Sequence, residues 1–330
     1  MQKSDQNTLK SALAAQSGKP ADSDFDRPEP VDGPFNLSDS TAYKTWREEK
    51  LAGFPRHSRD LLVRINDFAA PTSGEIKNIT DSCRRANMAI YEAGADDNAK
   101  EFDSDSIRAF AAHFGLSRLD KHLLSDDNGV TALRVADKGT RTAYIPYSSN
   151  RLGWHSDGYY NDASHLIRAV VLHCARPAAS GGENAILDHE IAYIRLRDEN
   201  PDFIAALMHP GCMTIPANLG EGNGAGGRIR PARTGPVFLV DRQTNALHMR
   251  FTARKRNIQW REDKTTRNAI DFLLSLLESD DGPVIRYRLC AGQGLISNNV
   301  LHNRTAFEDD PAAARLVYRA RFLDRIKGTY

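Results

Sequence analysis

Cysteine is scarce in this chain. Its four cysteines (Cys83, Cys174, Cys212 and Cys290) are scattered through 330 residues without a C-x-x-C pair. Neither a zinc ribbon nor a disulfide framework is therefore indicated, and reduced thiols are expected. Charge of one sign is missing too: 44 Lys and Arg against 43 Asp and Glu leave a formal net charge of +1. That balance supplies no electrostatic drive toward nucleic acid or an anionic membrane. No stretch approaches the roughly eighteen consecutive apolar residues of a membrane span. The opening Met1-Gln2-Lys3-Ser4-Asp5-Gln6 has no apolar core of the kind a secretory signal needs. No internal repeat is present. What these absences leave is a cytoplasmic protein whose partner is a small molecule, with homo-oligomerisation left open.

Residues 1–36 are rich in Ser, Asp, Pro, Gly and Lys and poor in large apolar side chains, which predicts a flexible arm. A single domain over 37–330 is expected to follow, its length sufficient for a large core. Helices are predicted over Ser38–Leu51, from the capping-box spacing at Thr72-Ser73-Gly74-Glu75 to about Tyr91, and over Ser104–Phe114 with Gly115 as its stop. From about 130 to 325 the pattern turns to short strands separated by turn signals, the mark of a barrel or sandwich. Those strands are Val130–Val135, Thr142–Tyr147, Leu166–Cys174, Pro236–Val240, Ala246–Phe251, Val284–Leu289 and Gly294–Asn299. Helices over Asp188–Asn200 and Thr265–Ser279 would decorate this core. The fold class expected is mainly β with flanking α-helices.

One constellation carries chemistry. Trp154-His155-Ser156-Asp157-Gly158 pairs an imidazole and a carboxylate two residues apart, on one face if the segment is an extended strand. A second imidazole comes from Asn299-Val300-Leu301-His302-Asn303-Arg304. Two histidines and one carboxylate form the ligand set that holds non-haem Fe(II) and leaves positions open for a co-substrate and O2. Downstream, Arg315 to Leu323 alternates, so that Arg315, Val317, Arg319 and Arg321 share one face. Guanidiniums lining an interior need anions, and a dicarboxylate that chelates iron at one end would meet one of them at the other.

These segments, with Gly181-Gly182-Glu183-Asn184, resemble the taurine dioxygenase superfamily of Fe(II)/2-oxoglutarate-dependent oxygenases, in particular its clavaminate synthase and γ-butyrobetaine hydroxylase branch. The resemblance runs from about residue 100 to the C-terminus. It implies a double-stranded β-helix (jelly-roll) core, with His155, Asp157 and His302 as iron ligands. It also implies Arg315 as the residue that pairs with 2-oxoglutarate, since the family's arginine follows the distal histidine shortly. Two departures stand out: Asn184 replaces the threonine of a Gly-Gly-Asp-Thr motif, and Asn303 replaces a frequent glycine. An amide at Asn184 can still donate to a carboxylate. Because halogenating relatives replace the carboxylate ligand with a small residue, Asp157 points to hydroxylation or another C–H oxidation. A small, anionic or amino-acid-like substrate is expected.

Around the metal motif, Tyr147, Asn150, Tyr159, Tyr160, Arg250 and Arg319 are candidates for the substrate wall, with Arg321 beside Arg319. Gly222, Gly224 and Gly227 satisfy G-x-G-x-x-G, yet no helix pattern follows and prolines interrupt what does, so a dinucleotide site is set aside. An insertion or lid over about 216–235 is expected instead. His189-Glu190 does not continue into H-E-x-x-H. His173 and His248 read as packed core residues, and His165 and His209 as loop residues. Two rival functions keep the metal but drop the co-substrate: a cupin-type dioxygenase or isomerase, and a non-catalytic metal-binding protein.

Overall fold

The computed structural model describes residues 33–94, 102–120, 129–218, 230–241, 244–280 and 282–330, with backbone alone at 140 and 143. Most of the expected arm and the Gly220–Gly227 segment lie outside the described residues. The arm's expected boundary moves earlier, because the chain is anchored from Gly33 onward. Phe35 is buried and packs edge-on against Trp46 and Tyr193, while Arg197 donates to the carbonyls of Pro34 and Asn36.

Two sheets organise the molecule. The larger has six strands in the order Leu62–Ile65, Met88–Ala93, Gln293–Ser297, Ala169–Arg176, Leu316–Phe322 and Val130–Leu133. Its first pair is parallel and the rest antiparallel. The smaller has four antiparallel strands in the order Ile285–Tyr287, Asn184–Leu187, Leu301–Arg304 and Leu152–His155. One hydrophobic cluster draws Met88, Cys174 and Val317 from the larger sheet and Ile186, Ile285 and Val300 from the smaller region, so the two enclose a shared core. Alternation decides what faces inward. Along Ala169–Arg176, Leu172 and Cys174 look toward the smaller sheet's side. Ala169 and Val171 join Ile79, Phe110 and Phe114 on the outer face, under the helices Ser73–Ala86 and Ser104–Ala112. A third cluster packs the helices His189–Glu199, Pro201–Leu207 and Lys264–Glu278 against Phe238, Leu247 and Leu301.

Two sequence expectations are corrected, and one further helix appears. The helix capped by Thr72, whose hydroxyl accepts from the Glu75 N–H, ends at Ala86 rather than Tyr91. Asn87 turns into the left-handed region (φ 56°) and Met88–Ala93 then runs as a buried inner strand, where a continuous apolar segment is satisfied by neighbours on both sides. Thr142–Tyr147 is not a strand but two short 3-10 turns, since Pro146 has no N–H to give a ladder. Past Glu199 a further helix starts at Pro201, capped by the Asn200 side chain on the Asp202 N–H. Pro at a first helical position is favoured there for the same reason it is excluded inside helices. No helix among the described residues is long and apolar enough to cross a membrane.

Candidate metal centre and anion pockets

His155 ends its strand opposite His302, the two being Cα partners across the antiparallel pair, with ring centroids 4.3 Å apart. Asp157 does not continue that strand as expected. It opens a turn, and Gly158 follows at φ +69°, where a Cβ would sit 2.4 Å from Ile167. Glycine is thus required twice over, by conformation and by space. The turn is held by Asn299, itself left-handed at φ 53°. Its amide oxygen accepts the Asp157 N–H (2.8 Å), and its Nδ2 donates to the carbonyls of Asp157 (2.9 Å) and Ile167 (2.6 Å). The ligand atoms of His155, Asp157 and His302 consequently lie within 4.8 Å of one another.

The protonation pattern suits a cation. Each histidine donates its Nδ1–H to a backbone carbonyl, His155 to Gly153 and His302 to Val300, both at 2.9 Å. That leaves the Nε2 lone pair of the neutral ring for the site. Burial, reinforced by the nearby His302, pushes His155 down to about 3, so it is neutral at physiological pH. Burial alone would raise the Asp157 carboxyl, but the Arg319 and Arg321 guanidiniums outweigh it and hold the group well below the usual carboxylate range. Arg319 Nη1 lies 3.1 Å and Arg321 Nη1 3.8 Å from Asp157 Oδ1. The other oxygen, Oδ2, is buried and has no hydrogen-bond partner among the described residues. An orphaned buried carboxylate oxygen costs several kcal/mol unless something cationic meets it. With the ligand atoms of both imidazoles and the carboxylate in one 4.8 Å cluster, the donor set fits a divalent transition metal such as iron.

The inward arginines of residues 315–321 separate into two places. Arg319 and Arg321 serve Asp157. Arg321 also donates to the Tyr160 hydroxyl (2.9 Å) and pairs with Asp120, and its interactions with Tyr160, Asp157 and Asp120 raise its pKa against the lowering effect of burial. Arg315 instead lines a small cavity with Leu172, Cys174, Gly182, Asn184 and Arg288. Its side chain is buried, lies 5.1 Å from the Phe307 ring and donates to no acceptor among the described residues; burial lowers its pKa. Gly181 lets the backbone close on this cavity's edge, for a Cβ there would meet the Ala306 carbonyl at 2.3 Å. Asn184 sits across the small sheet from Arg304, two positions from the residue opposite His302.

The remaining predicted wall residues scatter. Tyr159 packs near His155 (6.4 Å between rings) and edge-on against Tyr160 (5.1 Å). Tyr147 is buried in the inter-sheet cluster under Arg141. Asn150 is exposed, and its carbonyl accepts from Arg304. Arg250 is spent on backbone, donating to the carbonyls of Tyr159 (2.6 Å), Arg233 (2.9 Å), Met213 and Gly235 (both 3.2 Å). It is a clamp rather than a free cation. His173 and His248 are buried away from the triad, as expected. Asn303 fills its place in the ladder by accepting the Ala185 N–H. Sequence reading missed Asn299, Asp120 and Arg288. Only Asn299 carried a signal, being an Asn-Asn pair ahead of the distal histidine and a residue type tolerant of left-handed backbone.

The family model described as Taurine catabolism dioxygenase TauD, TfdA family matches residues 98–321. Among curated relatives, a uridine-5'-phosphate dioxygenase of Streptomyces sp is 30% identical over 220 residues, covering 65% of this chain and 77% of that protein. Another of the same name from Amycolatopsis sp is 31% identical over 183 residues, covering 52% of this chain and 60% of its own length. Among solved structures, the non-heme iron oxygenase OrfP in complex with Fe, succinate and (3S)-hydroxy-L-Arg superposes with a TM-score of 0.57 at 14% identity. The match covers 77% of this chain and 82% of that one, a likeness of fold.

Proposed function

We propose that this chain, which belongs to the Taurine catabolism dioxygenase TauD, TfdA family, is an iron(II)- and 2-oxoglutarate-dependent dioxygenase of a small anionic substrate. The observation that carries this reading is the clustering of His155, Asp157 and His302 ligand atoms within 4.8 Å of one another, with Asp157 Oδ2 buried and unpartnered among the described residues and each Nδ1–H already spent on a backbone carbonyl. In it, His155, Asp157 and His302 hold the iron, and the two sheets form a double-stranded β-helix around them within one domain. When bound, iron and 2-oxoglutarate supply oxidation of a substrate C–H bond by O2, coupled to loss of CO2 and formation of succinate.

The chain's own residues then do the positioning. Arg315 takes the distal carboxylate of 2-oxoglutarate, because a buried guanidinium with no acceptor is matched by a bidentate anion. Asn184 donates its amide to the same group from the facing strand. Asn299 fixes the turn that aims Asp157. Arg319 and Arg321 hold Asp157 ionised and keep one of its oxygens occupied, which leaves the other for the metal. Arg319 Nε is buried and has no hydrogen-bond partner among the described residues. Both curated relatives are named for a nucleoside phosphate, and a phosphorylated nucleoside is the substrate class we assign here.

Anaerobic titration of the Fe(II)-loaded protein with 2-oxoglutarate tests the reading through the visible charge-transfer band of the chelate. The wild-type band is expected to saturate, to vanish in Asp157→Ala, and to require about 10²-fold more 2-oxoglutarate in Arg315→Ala. Iron binding without any band would instead mark a metal enzyme that uses no 2-oxoglutarate.

A further inference from the structure

Beside the metal triad the protein gathers more positive charge than its described carboxylates neutralise. Tyr159 and Tyr160 directly follow the His155–Asp157 turn, and each ring carries a guanidinium: Arg254 lies 5.5 Å from the Tyr159 centroid and Arg230 5.8 Å from that of Tyr160. Arg230 is half-buried and donates to the carbonyls of Pro231 (3.3 Å) and Pro216 (2.8 Å). Arg254 is exposed and has no hydrogen bond among the described residues. Their neighbour Arg233 is already paired with Asp162 at 3.2 Å. Apart from burial, the side chains that act most on Arg230 are the neutral phenols of Tyr159 and Tyr160 and the guanidiniums of Arg233 and Arg254. No carboxylate is among them.

Holding two guanidiniums together without an anion is unfavourable, and evident structure enforces it. Arg250 ties the Tyr159 carbonyl to those of Arg233 and Gly235, so the aromatic turn and the Arg233–Gly235 strand cannot drift apart. Contacts of 5.5 and 6.4 Å link Arg254 through Tyr159 to His155. Charge placed there lies within reach of a ligand that also reaches the metal. A monoanion would neutralise half of the pair, whereas a phosphate monoester carries about −1.5 to −2 at neutral pH and three acceptor oxygens. Guanidinium forks match that geometry.

We propose that Arg230 and Arg254, carried on the rings of Tyr160 and Tyr159, form the subsite that binds the phosphate group of the substrate. The inference rests on the function proposed above and adds the residues that set its specificity. It is distinct from the Arg315 cavity, which serves the co-substrate, and from Arg319 and Arg321, which serve Asp157.

The test uses the full chain loaded anaerobically with Fe(II) and 2-oxoglutarate, with binding followed by calorimetry. The probes are uridine 5'-phosphate, ribose 5-phosphate, inorganic phosphate and uridine. Wild type is expected to bind at least one phosphate-bearing probe, and uridine at least about 10²-fold more weakly than its phosphate. Arg230→Gln and Arg254→Gln should each weaken the phosphate probes about 10-fold or more and leave uridine unchanged. Arg233→Gln, whose charge is already paired, should do neither. Because Arg254 is exposed and unbonded, its variant reads the site without loss of fold. The charge-transfer band reports the metal and co-substrate separately, so its loss would sink the proposed function and its persistence would isolate the subsite. The inference is overturned if no phosphate-bearing probe binds to wild type, or if both Gln variants bind them as wild type does.

Discussion

Asp157 shows how one side chain is shared between charge and coordination. Its Oδ1 faces two guanidiniums, its Oδ2 is buried without a hydrogen-bond partner among the described residues, and its backbone is gripped at both ends by Asn299. Asn299→Ala deletes three hydrogen bonds without touching a ligand, and outer-shell partners of this kind are typically worth 10- to 100-fold in metal affinity. We expect Fe(II) affinity, read by chelator competition, to fall by about that factor. Asn299→Asp keeps the acceptor for the Asp157 N–H but not the donors, and should fall between wild type and Ala. Equal affinity in all three proteins would remove the positioning role. At Arg315 the expected split is different. Arg315→Lys retains charge but not the fork, so the 2-oxoglutarate requirement should rise less than in Arg315→Ala while iron affinity stays unchanged in both. A loss of iron affinity in either would place Arg315 at the metal instead.

At the level of elements, the site is assembled from a strand end, a turn and a neighbouring strand, and the turn is the weak link. Gly158→Ala puts a Cβ against Ile167 in a backbone conformation that side chains rarely adopt. Destabilisation of about 1–3 kcal/mol is expected from strain of this kind, measured by urea unfolding, together with loss of the charge-transfer band. Normal stability and a normal band would show that the turn relaxes without consequence. The six-stranded sheet makes the complementary point. Its Leu316–Phe322 strand places Arg319 opposite Leu172 and Arg321 opposite Val170, and period-two alternation puts both guanidiniums on the inner face while Ala320 and Phe322 fill the outer cluster. A register slip of one residue would bury the apolar set where Asp157 needs cations.

For the whole molecule, buried histidines make stability sensitive to acid. Burial pushes His173 down to about 4 and, with the nearby His189 adding to it, His248 down to about 3. The unfolded chain titrates these groups near 6.5, so it takes up protons first as pH falls. Their contribution is therefore complete above about 6.5 and is lost between there and pH 4 to 3, at about 1.4 kcal/mol per pH unit per histidine. Unfolding free energy measured from pH 7.5 to 4.5 should fall steeply on the acid side. In His248→Gln that slope should be shallower by about one proton, and an unchanged slope would mean that His248 is protonated in the folded state.

Much of this was legible in the order of residues. Local signals suffice where the physics is local: the Thr72–Glu75 capping box, the alternation of Arg315 to Phe322, the strands at Ala169–Arg176 and Gln293–Ser297, and the cluster of His155, Asp157 and His302 through its motifs. Where neighbours in space decide, the sequence is silent. Met88–Ala93 is a strand because two strands flank it, although its residues continue a helical pattern. Arg250 looks like a candidate for substrate until four carbonyls are found around it, and Asp120 meets Arg321 only because the strands fold back. The amino-acid sequence by itself determined which chemistries this protein can hold, since ligand types and their periodicity are properties of residues and short segments. Only the tertiary structure decided which arginine is neutralised and which still awaits an anion, because pairing of charges in a low-dielectric interior depends on distances that no linear spacing encodes.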